Sequence, residues 1–440
     1  MVTQHGSESV KPRISEGLTM TFDHTRRACY TGYVTQAIVN NLAPLLFIVF
    51  QTRYDVPYER LGRLVLLNFT TQLVTDLAAV TVADRTGYRL PLVLAHVCCV
   101  VGLVLLAVLP SVLSSPYLGL SLAIVVYAIG GGLLEVLISP VVDALPSPQA
   151  GKAAAMSLLH SFYCWGQVVV VLGTTLLLAQ IGQAAWQVLP LVWAVVPLAN
   201  LVVFLRVPLP STVPDAHRTA LGRLCTAPAF AAALVLMCCA GASELTMSQW
   251  SSLFAEQGLG LPKAWGDLVA PGLFAVLMGI GRFVYGLWGE KIPLALAIVG
   301  SGTLATACYL TAALSSDPVR SLIGCALCGL AVSLLWPGTF SLAATRFPFG
   351  GAAMFGILAM FGDAGAAAGP WLAGAVAEAT PGTQGTLSAL AALLPDAGGS
   401  GLRAGLLIGT MFPLGVVAAT LAHSITARHR AHNARATNTP

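Results

Sequence analysis

Charge is what this 440-residue chain has least of. Asp, Glu, Lys and Arg make up 9% of it while 56% of its residues are hydrophobic, against about a quarter charged in water-soluble chains. That balance excludes an ordinary soluble domain. Gly-x-Ser-x-Gly, P-loop and His-Glu-x-x-His motifs are also missing, so nothing points to a hydrolase, an ATP-driven pump or a zinc protease. Gly130-Gly131-Gly132 looks like a nucleotide loop only in composition. It lies inside an apolar run with no Lys-Ser/Thr after it, and suits close helix packing instead. The ten cysteines lack a zinc pattern, because Cys325-x-x-Cys328 has neither a second pair nor a nearby His. Nine of them fall inside apolar runs and only Cys225 lies near an edge, so they read as small buried hydrophobes. No cofactor, no metal and no enzymatic nucleophile–base pair is expected. The net charge of +4 comes without a basic stripe interleaved with aromatics, which excludes a nucleic-acid partner. The first 27 residues are polar and hold no apolar h-region, so neither a cleaved signal peptide nor a lipid anchor is expected.

What the chain has in abundance is long apolar runs. They fall at 28–50, 63–83, 90–110, 117–140, 154–180 and 185–206, then at 228–255, 266–288, 292–314, 319–343, 351–378 and 402–426. Each is near or above the ~20 residues of a spanning helix, and none shows the short alternating segments of a strand barrel. The expected fold class is therefore an all-α membrane protein of twelve transmembrane helices in two six-helix bundles. The expected boundaries are a tail at 1–27, bundles at 28–206 and 228–426, a linker at 207–227 and a second tail at 427–440. With the N-terminus inside, sixteen Lys and Arg fall on the inner side and six on the outer. The positive-inside rule then makes both termini cytoplasmic, in a multi-pass plasma-membrane protein. The charge imbalance reports orientation, and the lipid bilayer is the expected environment.

The organising stretch is Asp76-Leu-Ala-Ala-Val-Thr-Val-Ala-Asp84-Arg85-Thr-Gly87-Tyr88-Arg89. It links two apolar runs through a charged tight turn in which Gly87 can take a backbone conformation that other residues resist. Asp76 lies two turns earlier, about 12 Å along a helix, where a carboxylate is costly unless paired or facing protein. A second copy, Gly281-Arg282-Phe-Val-Tyr285-Gly286-Leu-Trp288-Gly289-Glu290-Lys291, ends another apolar run with charges at the same spacing. Here the chain resembles the major facilitator superfamily, whose signature between helices 2 and 3 is Gly-x-x-x-Asp-Arg-x-Gly-Arg-Arg. Asp84, Arg85, Gly87 and Arg89 match it, while Val80 and Tyr88 depart from it. The resemblance implies two six-helix halves related by a parallel repeat. It also implies a cytoplasmic gate, assigned to Asp76, Asp84, Arg85, Gly87, Arg89, Arg282 and Glu290, whose pairing must break for inward opening.

Polar residues inside the runs fall on helical stripes. Tyr33, Gln36 and Asn40 share a face of helix 1, with Asn41 adjacent. Tyr127, Gly131, Glu135 and Ser139 align on helix 4. Ser157, His160 and Gln167 align on helix 5 beside Tyr163, and Glu244, Ser248 and Ser251 on helix 7 beside Gln249 and Trp250. Asp363 stands alone in a Gly- and Ala-rich helix 11. An isolated polar residue in a bundle is often interhelical glue, but a desolvated carboxyl needs a compensating use. Solute binding is therefore assigned to Gln36, Asn40, Asn41, Tyr127, Tyr163, Gln167, Glu244, Gln249 and Trp250. Proton coupling is assigned to Glu135, His160 and Asp363, with Glu135 and His160 at equal depth on consecutive helices.

Gly32-Tyr-Val-Thr35, Asn40-Asn41, Pro44, Gly130-x-Gly132-x-x-Glu135, Pro140 and His160-Ser-Phe-Tyr-x-Trp165-Gly166 are similar to the fucose permease branch, the fucose–galactose–glucose:proton symporters. In that branch an acidic residue of helix 1 and a Glu of helix 4 handle sugar and proton. Glu135 matches the second and Asn41 replaces the first. The resemblance implies a monomeric carrier of a small-molecule solute, a monosaccharide or related polyol, moved by proton symport. The alternatives are an exporter of drugs or metabolites in the same superfamily, and a transport-like solute sensor.

Overall fold

The computed structural model describes residues 20–145, 152–210, 226–288, 293–347, 351–380, 394 and 400–422. Among them there is no strand. The first half comprises α1 (Phe22–Leu45), α2 (Phe47–Tyr54), α3 (Tyr58–Thr86), α4 (Arg89–Val112), α5 (Pro116–Ala144), α6 (Lys152–Ile181) and α7 (Val188–Phe204). The second comprises α8 (Pro228–Leu253), α9 (Lys263–Asp267), α10 (Leu273–Trp288), α11 (Leu294–Leu314), α12 (Pro318–Val332), α13 (Leu335–Arg346), α14 (Gly351–Ala379) and α15 (Ser400–Gly409). Eight stretches are long and apolar enough to cross a membrane, and α1 with α2 makes a ninth as one span bent by 41°. Three helices fall short of that measure, each for a visible reason. The α3 helix carries Asn68, Gln72 and Asp76, α7 has 17 residues, and α14 is rich in Gly and Ala and interrupted by Asp363. All three occupy runs expected to span. The first helix starts at Phe22, so residues 22–27 are helical.

Local sequence sets the ends. Ser115 accepts from the Leu118 amide with Pro116 in the first turn, and Asp317 accepts from the Val319 amide with Pro318 there. Both are N-cap arrangements in which proline wastes no donor. Gly87 ends α3 at φ +73°, the left-handed conformation expected of the turn. At the far end of the bundle, buried Arg403 donates to the carbonyls of Ala313 and Ser315, satisfying the C-terminus of α11.

The outside is apolar. Leu90, Leu94, Val97, Val101, Val104, Val108 and Val112 form one exposed stripe along α4, as befits a helix facing lipid. Inside each half the helices approach closely. A Cβ on Gly365 would lie 1.9 Å from the Cys238 carbonyl oxygen, so α8 and α14 can pack only because that position is glycine. The halves meet through α3 against α14 and α6 against α10. The face carrying the Gly87 turn is called the motif face below, and the face carrying Asp55 and Gly182 the opposite face.

Candidate functional site

Two of the expected stripes meet. Because α1 and α5 run in opposite directions, successive residues of one face descending residues of the other. Tyr33 hydrogen-bonds Ser139 at 2.9 Å, and the Gln36 amide donates to Glu135 at 2.5 Å. One turn further, Val39 and Gly131 are in contact range, where a side chain on Gly131 would crowd Val39 and Gln72. Asn40 then accepts on its side-chain oxygen from Asn68 (3.2 Å) and Gln72 (2.8 Å) of α3. A void of about 10 Å³, with room for about one water, is lined by Asn40, Asn68, Tyr127 and Gln249.

The second half answers across the seam. Gln249 donates to the Asn40 carbonyl at 3.1 Å, and Gln167 of α6 donates to Ser248 at 3.0 Å. Arg282 of α10 contacts both carboxylate oxygens of Glu244, at 3.3 and 3.4 Å, and the Cys164 sulfur at 3.2 Å. Asn41 reaches the Tyr163 hydroxyl at 3.4 Å. Asp76 of α3 and Asp363 of α14 face one another within hydrogen-bond reach. Among the described residues the centre thus holds four carboxyl groups and one guanidinium.

Further joins lie towards the opposite face. Tyr58 donates to Gln257, and Gln257 to Gln51, each at 2.5 Å, while the Tyr58 amide donates to Glu378 at 3.0 Å. Thr175 of α6 donates to Asp267 at 3.0 Å, and Asp267 also accepts from Ser252 and, at 3.1 Å, from Lys263. Exposure follows the same axis. Gln36, Asn40, Gln167, Gln249 and Trp250 are at most 5% exposed, whereas Glu135, His160, Tyr163 and Arg282 are only partly buried.

Several assigned residues sit elsewhere than expected. Trp250 packs between Phe47 and Tyr58 and donates to the Pro370 carbonyl at 2.9 Å, so it closes the opposite face rather than lining open space. Arg282, expected at the motif-face gate, is engaged at mid-depth with Glu244. Arg89 donates to the carbonyls of Phe204, Leu205 and Val207, satisfying the C-terminus of α7 within its own half. His160 stacks edge-on against Tyr33 at 5.2 Å, while the bonded partner of Glu135 is Gln36. The side chains of Asp84 and Arg85, and Glu290 altogether, lie outside the described residues.

Sequence reasoning passed over Asn68 and Gln72, although Asn68, Gln72 and Asp76 at spacings of four make a stripe like those it used. It also missed Asp267 with Lys263, and Cys164 as a partner of Arg282. Lys263 and Asp267 are four apart on one short helix, a spacing legible in the sequence, whereas no single-sequence signal marks the contact of Cys164 with Arg282 on a distant helix.

Two helical halves closed over a buried polar seam are the architecture of a membrane carrier. The chain belongs to the Major Facilitator Superfamily, whose profile matches residues 29–370. It is a transporter, not an enzyme. No curated protein sequence matches it significantly. Among solved structures, the fucose:proton symporter FucP of E. coli aligns with a TM-score of 0.63 at 16% identity, over 91% of this chain and 98% of that one. A bacterial homologue of the human lysosomal transporter Spinster, inward-facing and occupied, gives 0.70 at 15% identity over 94% and 98%. The nucleoside transporter NupG gives 0.70 at 12% identity over 91% and 98%. These likenesses establish the fold.

Proposed function

We propose that this transporter moves a small polar solute, a monosaccharide or related polyol, across the plasma membrane by alternating access and proton symport. The observation that carries the reading is the character of the seam. Amides from both halves (Gln36, Asn40, Asn41, Gln167, Gln249) converge there with hydroxyls, beside a carboxyl, Glu135, held by a neutral partner. Amides can both donate to and accept from sugar hydroxyls. An exporter of apolar compounds would call for a Met- and Phe-lined cavity, and these side chains argue against it. The motif face is read as cytoplasmic, and the conformation as closed towards the outside. In this reading Glu135 exchanges a proton as water access alternates, Asp84, Arg85 and Glu290 gate the motif face, and the carrier works as a monomer.

The test is uptake of a panel of radiolabelled monosaccharides and polyols into proteoliposomes, with and without an imposed pH gradient. At least one should accumulate only when the gradient is present. Uptake of none of them, beside accumulation of nucleosides or apolar compounds, would overturn the assigned solute class.

A further inference from the structure

Asp76 and Asp363 are 3% and 2% exposed, and they belong to different halves. Their carboxyl groups are within hydrogen-bond reach. Yet both side-chain oxygens of Asp76, and Oδ2 of Asp363, are buried without a donor. An ionised carboxyl only accepts, so two carboxylates cannot bond each other. With one proton between them, they can.

Among the described residues no other donor reaches these three oxygens. Gln72, one turn before Asp76 on the same face, is fully buried with Oε1 unpartnered, and its Nε2 is committed to Asn40. Gly132 walls the other side. A Cβ there would come within 2.9 Å of both Asp76 Oδ1 and the Gln72 main-chain oxygen, which leaves no space for a neutralising side chain. From α5 comes Glu135, itself acidic and bonded to Gln36. From α8, packed on α14, comes Glu244, already paired with Arg282. On α4, His96 is committed to the Leu92 carbonyl and Asn200. No described Lys or Arg bonds either aspartate.

We propose that Asp76 and Asp363 form one proton site spanning the two halves. The protonated acid donates to the other carboxylate while α3 and α14 are together. Transfer of that proton to water leaves two carboxylates, which repel and part the helices at this level. The inference rests on the reading of the chain as a proton-coupled carrier. It adds a site distinct from Glu135 and tied to the joint between the halves.

The test uses the purified full-length transporter in lipid nanodiscs without solute, with protons as the probe. Infrared difference spectra on acid titration should show, beside the band of Glu135, a second protonated-carboxyl band from the pair. That band should vanish in Asp76→Asn and in Asp363→Asn alike, although each leaves one aspartate in place, and should persist in Glu135→Gln. In parallel, spin labels at Leu77 and Phe361, exposed residues beside the pair, should move apart in the parent as pH rises. The double variant Asp76→Asn/Asp363→Asn, whose two amides can bond each other, should hold one distance at every pH. A band untouched by both single variants overturns the proposal, as does a pH-dependent distance in the double variant. Loss of the band in Glu135→Gln alone would refute the pair yet leave proton coupling standing. Loss in both aspartate variants, with uptake indifferent to a pH gradient, would keep the pair and refute the coupling.

Discussion

Each half brings a glutamate to the seam, and the two are held differently. Glu135 receives one hydrogen bond from a neutral amide, whereas Glu244 lies against the guanidinium of Arg282, which also donates to the Cys164 thiol. A Gln amide can donate to a carboxylate and, turned over, accept from a carboxylic acid, and Gln36 Oε1 is buried without a partner. Arg282 can only donate, so it fits one charge state of Glu244. The first arrangement tolerates a proton coming and going; the second fixes a charge. An ion pair in the bundle interior positions helices, while an amide-held acid is free to do chemistry.

The sharpest way to break that contrast is Arg282→Ala. It leaves Glu244, 7% exposed on its side chain, without its compensating charge, a change that costs about 3–5 kcal/mol for a buried pair. Transport should be lost and the thermal unfolding midpoint should drop well below that of the parent. Arg282→Ala combined with Glu244→Ala should recover part of that stability. An unchanged midpoint in the single variant would mean that the pair does not hold the bundle together.

A smaller effect is expected from Gln36→Leu, which leaves the Glu135 carboxyl without its donor at a cost of about 1–3 kcal/mol. Proton-driven uptake should fall more than solute exchange does. Equal losses in the two assays would place Gln36 on the solute instead of on the acid. Smallest of all is Thr175→Val, which removes one hydrogen bond between the halves near the opposite face. A net loss of about 1 kcal/mol shifts the open–closed balance roughly fivefold towards opening on that face. Accessibility of a cysteine placed beneath that seal would read it out.

The fold was legible because bilayer-spanning helices announce themselves by length and hydropathy. The runs expected at 90–110 and 117–140 appear as helices over Arg89–Val112 and Pro116–Ala144. The stripe of Tyr33, Gln36 and Asn40 pointed inward for the same reason a soluble helix buries its apolar face. Periodicity tells which residues share a side, but not which helix lies opposite. That is why Arg282 was placed at a gate rather than beside Glu244, 38 residues away. Trp250 shows another limit, since an aromatic beside a polar stripe serves equally well as a wall or as a plug. Its indole N–H, bonded to the Pro370 carbonyl, fixes it in a packed position that the sequence does not reveal.

The most direct test of the central claim is Glu135→Gln in proteoliposomes supplied with a transported radiolabelled monosaccharide. Two fluxes are read side by side: accumulation driven by an imposed pH gradient, and exchange between equal pools of solute. Replacing the acid by an amide keeps the shape and a hydrogen bond to Gln36 but removes the exchangeable proton. The account predicts that accumulation disappears while exchange continues near the parent rate. Accumulation that survives in this variant would contradict it, and would move the coupling proton away from Glu135.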